Sequence, residues 1–317
     1  MAHDLHEVYV KECTGKCNKQ TRAKIAPNDI CTLLESNTDG LPVRCVGSWS
    51  KQKIHYLLQY FGIFSAAMHK KWDNNINYVE ICCGTGRCIA RDLKIEFDGT
   101  ALGILNHKNF EHISNAIFVD FDSTTLSILS ERLAKHELTN YHLLEGDYNK
   151  AEALIENLSR SIDIRTGLTL FFIDPTDCSV PFNLISKIKD SFPNSDFIIN
   201  LAIGTDFTRN VAGSINNPES YFKVRNKYMR FLGAKDFFLD ERVSELAIQK
   251  NTKSLRTIFR EYYVQSLSNI GLDYTDFIRV VPYYDIVFAS QHELGLKFWK
   301  EASKYEHDGQ KKLDLFN

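Results

Sequence analysis

The chain has no uninterrupted apolar run of about 18 residues, the length that a membrane-spanning helix needs. Its first residues, Met1 to Asp4, are polar and start no apolar segment, so we expect no secretory signal and predict a cytoplasmic protein. The chain also lacks a large excess of charge of one sign, because its formal net charge is −2. Any contact with nucleic acid would therefore need a local basic patch rather than an overall field.

Proline is scarce, with 7 residues, and glycine contributes only 16, which excludes a collagen-like or a Pro/Gly-rich low-complexity chain. Hydrophobic residues make up 44% and charged residues 25%, as in ordinary globular proteins. The 317 residues fit one large α/β domain with appendages, or two domains. Without a secretory signal, the eight cysteines indicate thiols or metal ligands rather than disulfides.

Residues 1–47 differ from the rest because they hold four of the eight cysteines and few apolar runs. The spacing of Cys13 and Cys17 falls within the range of zinc-binding pairs, and Cys31 and Cys45 complete a set of four thiolates. A small lobe with little core would be stabilised by such a zinc ion. The alternative is four unlinked thiols, because the later two cysteines are not closely spaced. We predict a separate Cys-containing N-terminal lobe over 1–47.

From residue 48 onward, the pattern predicts one α/β domain, 48–317, in which strands and helices alternate. The predicted strands are 78–82, 116–120, 141–145, 169–174 and 196–201, and the predicted helices are 50–72, 123–136, 150–161, 181–190 and 219–232. Such alternation favours a parallel sheet covered by helices. After a helical insertion around 205–275, strands at 276–281 and 284–289 are joined too closely to be parallel. The predicted fold is a Rossmann-like, mostly parallel sheet with a C-terminal antiparallel hairpin, as in class I S-adenosylmethionine (SAM) methyltransferases.

A glycine-rich turn follows the first of these strands. Glu80 lies inside the strand, and Cys82, Gly84 and Gly86 lie in the turn. Ligands of open α/β sheets bind beyond the carboxyl ends of the strands, and glycines let the backbone approach a ligand closely. We predict that the backbone of this loop holds the amino-acid part of SAM. The alternative is an ordinary turn.

Acidic residues follow the next three strands. Asp120, and after it Asp122, are candidates to accept the ribose hydroxyls of SAM. Asp147 is the candidate for the adenine amino group, and Tyr148 could cover the ring. Asp174, at the end of the fourth strand, is the candidate catalytic residue facing the methyl acceptor. Each acid has a structural alternative: Asp120 or, more readily, Asp122 could cap the following helix, and Asp147 and Asp174 could be turn residues.

The end of the fourth strand reads Asp174-Pro175-Thr176-Asp177. Methyltransferases that act on nucleic-acid bases have a second proline and an aromatic residue here, and the aromatic residue stacks on a flipped base. Both are absent from this segment, so the sequence does not favour base methylation.

Several segments between Leu41 and Gln310 resemble the three-Cys-motif partner proteins (TcmP). They are Leu41-Pro42-Val43-Arg44-Cys45-Val46-Gly47-Ser48-Trp49-Ser50 with Lys53, Tyr60, Phe64-Ser65-x-Ala67-Met68, Lys71-Trp72, Gly84-x-Gly86-Arg87-Cys88, Phe172-Ile173-Asp174-Pro175, Gly204-Thr205-Asp206-x-x-Arg209-Asn210, Val287-Phe288-Ala289-Ser290-x-His292, Leu296-Lys297-Phe298-Trp299 and Gly309-Gln310.

The resemblance implies that the chain acts with a separate protein that carries a three-cysteine motif and is encoded nearby in a bacterial or phage genome. Family members usually show Asp-x-Phe-Ala-Gly-Pro-Gly at the glycine loop, whereas this chain has Glu80-Ile81-Cys82-Cys83-Gly84-Thr85-Gly86. Two hypotheses follow: a SAM-dependent methyltransferase-like enzyme, or a non-catalytic scaffold of the same fold, associated with phage or defence. The departures at the fourth strand favour the scaffold, and the acids after the second and third strands favour the enzyme.

Basic residues are frequent between 223 and 260, and tyrosines lie among them. Interleaved basic and aromatic residues are typical of surfaces that bind RNA or DNA backbone. A solvated helix face is the simpler interpretation, and a docking surface for the partner protein is a third.

Overall fold

The computed structural model describes residues 6–13, 30–163, 166–204, 207–281 and 283–311. Its strands are β1 (Val8–Tyr9), β2 (Ile30–Glu35), β3 (Pro42–Val46), β4 (Ile76–Ile81), β5 (Arg87–Ala90), β6 (Ile95–Asp98), β7 (Asn115–Asp120), β8 (Tyr141–Glu145), β9 (Leu168–Ile173), β10 (Ser195–Leu201), β11 (Tyr274–Val280) and β12 (Tyr284–Ser290). Its helices are α1 (Trp49–Met68), α2 (Thr100–Leu105), α3 (Ser123–Leu133), α4 (Ala151–Ser159), α5 (Phe182–Ser191), α6 (Phe207–Asn216), α7 (Phe222–Leu232), α8 (Glu241–Ile248), α9 (Thr252–Ser268) and α10 (Glu293–Ala302).

The chain forms two compact units. The first contains the residues up to Gly146, Thr166–Leu168 and the residues from Lys297 onward. The second contains the remaining residues between Asp147 and Leu296. Neither unit begins at residue 48, where the sequence analysis placed a domain boundary. Strand β3 lies before that residue and pairs in parallel with β5, which lies after it, with Arg44 opposite Cys88.

The first unit contains two sets of paired strands. In one set, β4 pairs in parallel with β7, and β7 pairs in parallel with β8. All six residues of β4 are buried, as expected for a strand covered on both faces. The other set is a five-stranded sheet in the order β1-β6-β5-β3-β2.

Helix α1 belongs to the first unit and packs through the apolar face that its sequence predicts. Residues three and four positions apart share one face of a helix, and five such residues are at most 2% exposed: Ile54, Leu57, Leu58, Phe61 and Phe64. Trp299 of α10, which is fully buried, lies against Tyr56 and Tyr60 of the same helix. The C-terminal helix is therefore anchored on α1.

In the second unit, β9 pairs in parallel with β10, and β10 pairs antiparallel with β12. β11 and β12 form the antiparallel hairpin that their short connection predicts. Helices α6 to α9 occupy the predicted insertion around an aromatic cluster in which Phe259 contacts Phe207, Tyr228, Phe231 and Phe237. The α/β alternation, the parallel pairs and the terminal hairpin are confirmed.

Two hairpins were missed by the sequence prediction, β2 with β3 and β5 with β6. β5 and β6 pair antiparallel directly after the glycine loop, and α2 begins only at Thr100. The charged residues Arg87, Glu96 and Asp98 are typical of an exposed segment, yet all three are buried. They are accommodated because Arg87 donates from Nε to Glu96 and from Nη1 to Asp98.

Within the described part of the chain, no helix combines the length and the apolar character that crossing a membrane requires.

Candidate functional site

The glycine loop of the first unit turns tightly between β4 and β5. Gly84 and Gly86 have φ values of 68° and 87°, in the left-handed region that glycine adopts without a steric penalty. The Gly84 N–H donates to Oδ2 of Asp120, at 3.0 Å. The structure therefore brings two predicted site features together, the loop and the acid that ends β7.

Asp120 and Asp122 have different roles in this unit. Both oxygens of Asp120 accept backbone N–H groups: Oδ2 accepts that of Gly84, and Oδ1 accepts that of Asp122 at 3.2 Å. Asp122 caps α3, because its Oδ1 accepts the N–H of Thr124 at 2.9 Å. The capping alternative for Asp122 is confirmed.

Glu80 lies inside the fold rather than on its surface. The residue is 0% exposed, and its carboxylate accepts hydrogen bonds from the hydroxyls of Tyr78 and Thr100. The Tyr78 hydroxyl lies 2.9 Å from Oε2. In this arrangement, Glu80 holds β4 and the start of α2 together from within.

Cys82 has a strained backbone. Its φ is 70°, a left-handed conformation that residues with a Cβ rarely adopt. The N–H groups of Cys82 and Cys83 both donate to the Val119 carbonyl, at 2.9 and 3.0 Å, and these bonds hold the turn. Burial raises the pKa of the Cys83 thiol well above its usual value, and the neighbouring charges of Glu80 and Asp120 add to that effect. Cys83 is therefore a neutral packing residue.

Two arginines that the sequence analysis did not single out lie against the glycine loop. The space beside Gly84 is filled by Arg44, since a Cβ at Gly84 would lie 3.1 Å from Nη1 of Arg44. Arg132 of α3 donates from Nη1 to the Thr85 carbonyl and from Nη2 to the carbonyls of Leu41 and Pro42. Arg44 occurs in a segment with family resemblance, but nothing local to either arginine indicates a contact with the loop.

In the second unit, Asp147 forms the turn that was its structural alternative. Its Oδ1 accepts from the backbone N–H and the side-chain amide of Asn149, at 2.8 and 2.9 Å. Tyr148 donates from its hydroxyl to Oγ of Ser179, at 2.9 Å. Asp147 and Tyr148 belong to the second unit, and their predicted roles toward adenine stay predictions.

Asp174 is 5% exposed and is held by Asn200. The Asn200 amide donates from Nδ2 to Oδ1 of Asp174 and to the Pro175 carbonyl, each at 3.0 Å. Asn200 is 4% exposed, and its Oδ1 has no hydrogen-bond partner among the described residues. Asp174 is thus fixed at the end of β9, and its role toward an acceptor stays a prediction. Thr205 and Asp206 of the resembling segment lie outside the described residues.

Several basic residues of the segment 223–260 contact other side chains of the second unit. Arg225 lies over the ring of Phe238, Lys227 pairs with Asp177, and Arg230 donates to Asn149. Arg260 donates from Nε to Asp285, which is fully buried. These contacts agree with a structural role for much of the segment, while Lys223, Lys250 and Lys253 are exposed.

The described N-terminal cysteines do not support the zinc site. Cys13 packs with Val10, Val43 and Ile89 in an apolar cluster, and Cys31 lies against that cluster. Cys45 is also buried. The part of the chain that the structure describes contains no group of three or more His, Cys, Asp or Glu arranged to hold a metal ion. Cys17 lies outside that part.

Comparison with known proteins gives no relative close enough to assign a function. No protein-family model matches the chain, and no curated protein matches it. A solved protein from Legionella pneumophila str. Philadelphia 1, of family DUF519, is 10% identical, with 83% of this chain and 95% of that chain covered and a TM-score of 0.45.

Two solved methyltransferases resemble the chain less closely in TM-score. The methyltransferase domain of bacterial CtHen1 is 13% identical, with 75% of this chain and 100% of that chain covered and a TM-score of 0.37. A SAM-dependent methyltransferase from Clostridium acetobutylicum ATCC 824 is 16% identical, with 50% and 54% covered and a TM-score of 0.27. All three TM-scores are below 0.5.

Proposed function

We propose that the chain is a SAM-binding, methyltransferase-like protein and that Asp120 accepts the ribose hydroxyls of the cofactor. The observation that carries the proposal is the bond from the Gly84 N–H to Asp120, because it joins the glycine loop to the acid at the end of the neighbouring parallel strand. A SAM ligand would supply an activated methyl group.

The residues around Asp120 fit this role. A carboxylate has about four lone-pair sites, and two backbone N–H groups use one site on each oxygen of Asp120. Asp120 is partly exposed, so the remaining sites are open to the two donors of a ribose. Cys82, Gly84 and Gly86 would line the amino-acid end of the bound SAM. Glu80 would not touch the ligand, and its buried carboxylate would support the loop from the interior of the unit.

SAM binding to the purified full-length chain, measured by calorimetry, tests this proposal. We expect wild type to bind and Asp120→Asn to bind about tenfold more weakly or worse, because hydrogen bonds to a charged group are worth about 1.5–3 kcal/mol. The matched control is Asp190→Asn, which removes the charge of an exposed aspartate on α5 and should leave affinity unchanged. Folded wild type that binds no SAM, alone or with its partner protein, would overturn the proposal.

The second candidate function is a scaffold of the TcmP type that acts with a separate three-Cys-motif protein. It is favoured by burial of the loop, since residues 83–88 are buried and Arg44 covers Gly84. The test uses the purified three-Cys-motif protein encoded beside this chain, with labelled SAM. Association without any methyl transfer and without SAM binding would favour the scaffold, whereas methyl transfer would favour the enzyme.

Nucleic-acid binding through the 223–260 segment remains a separate proposal. The exposed lysines of this segment, among them Lys223, Lys250 and Lys253, carry their charge at the surface. Replacing these three lysines by glutamine should abolish any binding of the chain to single-stranded RNA or duplex DNA at low salt. Binding that persists in the triple variant would exclude this segment as the contact surface.

A further inference from the structure

We infer that the second unit binds a phosphate group at three arginines, Arg256, Arg260 and Arg279, which lie around the carboxylate of Asp285. These four residues are called the arginine cluster below. The inference goes beyond the proposed function and is independent of it, because SAM carries no phosphate. Three observations carry it: the place of the cluster in the sheet, the contacts that fix its arginines, and its excess of positive charge.

The strand pairing places the cluster at one end of β10. Asp285 of β12 lies opposite Leu201, the last residue of β10, and opposite Arg279 of β11. Helix α9 supplies Arg256 and Arg260, which are four positions apart and therefore share one face of the helix. Since β10 is parallel to β9, this end is a carboxyl end, where open α/β sheets bind their ligands.

Hydrogen bonds fix each guanidinium of the cluster. Arg260 donates from Nε to Oδ2 of Asp285 at 2.7 Å, and Arg279 donates from Nη1 to Oδ1 at 2.9 Å. Arg256 donates instead to the two backbone carbonyls of residues 203 and 204, each at 3.1 Å. Because these side chains are ordered before a ligand arrives, binding costs little additional side-chain entropy.

The cluster holds three positive charges and one negative charge. The Asp285 side chain is 0% exposed, whereas those of Arg260 and Arg279 are 30% and 23% exposed. An anion that approaches from solvent therefore meets guanidinium groups, with the carboxylate buried behind them. A guanidinium has five N–H donors and can bind a phosphate through two parallel hydrogen bonds.

The arginines also act on one another. Burial lowers the pKa of Arg256, and the positive charges of Arg279 and Arg260 lower it further, although Asp285 opposes them. Like charges that lie close together disfavour the charged state of each other. A bound phosphate would offset this repulsion, whereas neutralising Asp285 alone would need only one arginine.

Calorimetric titration of the full-length chain with inorganic pyrophosphate at low salt tests the inference. We expect wild type to bind and Arg256→Gln to bind at least tenfold more weakly, because a charged donor is lost. This variant leaves both ion pairs of Asp285 in place. Arg256→Lys keeps the charge without the paired donors, so its affinity should lie between the two. The matched control is Arg242→Gln: Arg242 is 61% exposed and pairs with Asp240, and its loss should change the affinity by less than about twofold.

Asp285→Asn separates a binding role from a structural one, because it should act in the opposite direction. Removal of the negative charge should tighten pyrophosphate binding about threefold or more. An arginine cluster that only neutralises Asp285 would show no such gain. This variant also tests the inference if Arg256→Gln does not fold, and thermal melting establishes whether each variant is folded.

A short single-stranded RNA identifies the source of the phosphate. If Arg256→Gln weakens RNA and pyrophosphate alike, the site binds the phosphodiester backbone; if it weakens pyrophosphate alone, the site binds a small phosphorylated ligand. The inference is wrong if folded wild type does not bind pyrophosphate, if Arg256→Gln and Arg242→Gln have equal effects, or if folded Asp285→Asn shows no gain. Titration of the same proteins with SAM tests the proposed function separately, so the failure of one leaves the other standing.

Discussion

Arg132 and Asp39 form a buried ion pair that spans 93 residues of sequence. Nε of Arg132 lies 2.8 Å from Oδ2 of Asp39, and Nη2 lies 3.2 Å from Oδ1. The Arg132 side chain is 1% exposed and that of Asp39 is 9% exposed. Because Arg132 also donates to the Thr85 carbonyl, this pair links the turn between β2 and β3 to the glycine loop.

Asp39→Asn should lower the free energy of unfolding by about 2 kcal/mol at pH 7, because a charged hydrogen-bond partner of a buried arginine is lost. Burial raises the pKa of Asp39, but the hydrogen bonds from Arg132 and Leu41 and the charge of Arg132 together outweigh it, so the pKa is lowered. The stability that follows from this lowering is present above the unfolded pKa of about 3.9 and is lost as pH falls through the folded value.

Urea unfolding of wild type and Asp39→Asn between pH 7 and pH 3 measures this effect. The difference between the two proteins should be constant near neutral pH and shrink below about pH 4. A difference that grows as the pH falls would contradict the assigned direction. Glu156→Gln, which breaks an exposed pair with Arg160, is the control and should not alter the pH profile.

Cys82→Gly should stabilise the protein. Relief of the left-handed strain is worth about 1–2 kcal/mol, and the greater freedom of glycine in the unfolded chain offsets about half of that gain. We expect a net gain of about 0.5–1 kcal/mol in the unfolding free energy, measured with urea. Cys83→Gly is the matched control: Cys83 is buried and has no left-handed φ, so its replacement should destabilise. A destabilised Cys82→Gly would show that the thiol makes a compensating contact.

Asp122→Ala should lower the unfolding free energy by about 1 kcal/mol, because it removes the N-cap of α3. Asp122→Ser keeps a capping oxygen and should recover most of this loss. Neither change should weaken SAM binding, in contrast to Asp120→Asn. A loss of affinity in Asp122→Ser as large as that in Asp120→Asn would assign a ligand role to Asp122 as well.

Asn200→Asp should destabilise the protein at pH 7 by about 3 kcal/mol, since it replaces the donor to Asp174 by a second buried carboxylate. Two carboxylates in one buried site cannot both ionise easily, so the pKa of the pair would be raised. A raised folded pKa contributes stability at low pH that is lost as pH rises. The deficit measured by thermal melting should therefore shrink between pH 7 and pH 5. Asn217→Asp, at an exposed position, should show no such recovery.

The sequence by itself determined the elements that depend on local pattern. Apolar runs such as Phe171-Phe172-Ile173 predict buried strands, and the short link between β11 and β12 permits only an antiparallel pair. The cap at Asp122 was also predictable, because a capping residue acts within one helical turn of its own position.

Tertiary structure alone decided what covers the glycine loop. The β5–β6 hairpin buries Arg87 with Glu96, and its charged residues resemble an exposed segment until their partners are known. Arg44 reaches Gly84 across 40 positions of sequence, and Arg132 reaches Asp39 across 93. Such contacts depend on how strands and helices pack in space, and that packing has no period that a sequence can display. For this reason the acids at the strand ends were predictable, whereas the arginines beside the loop were not.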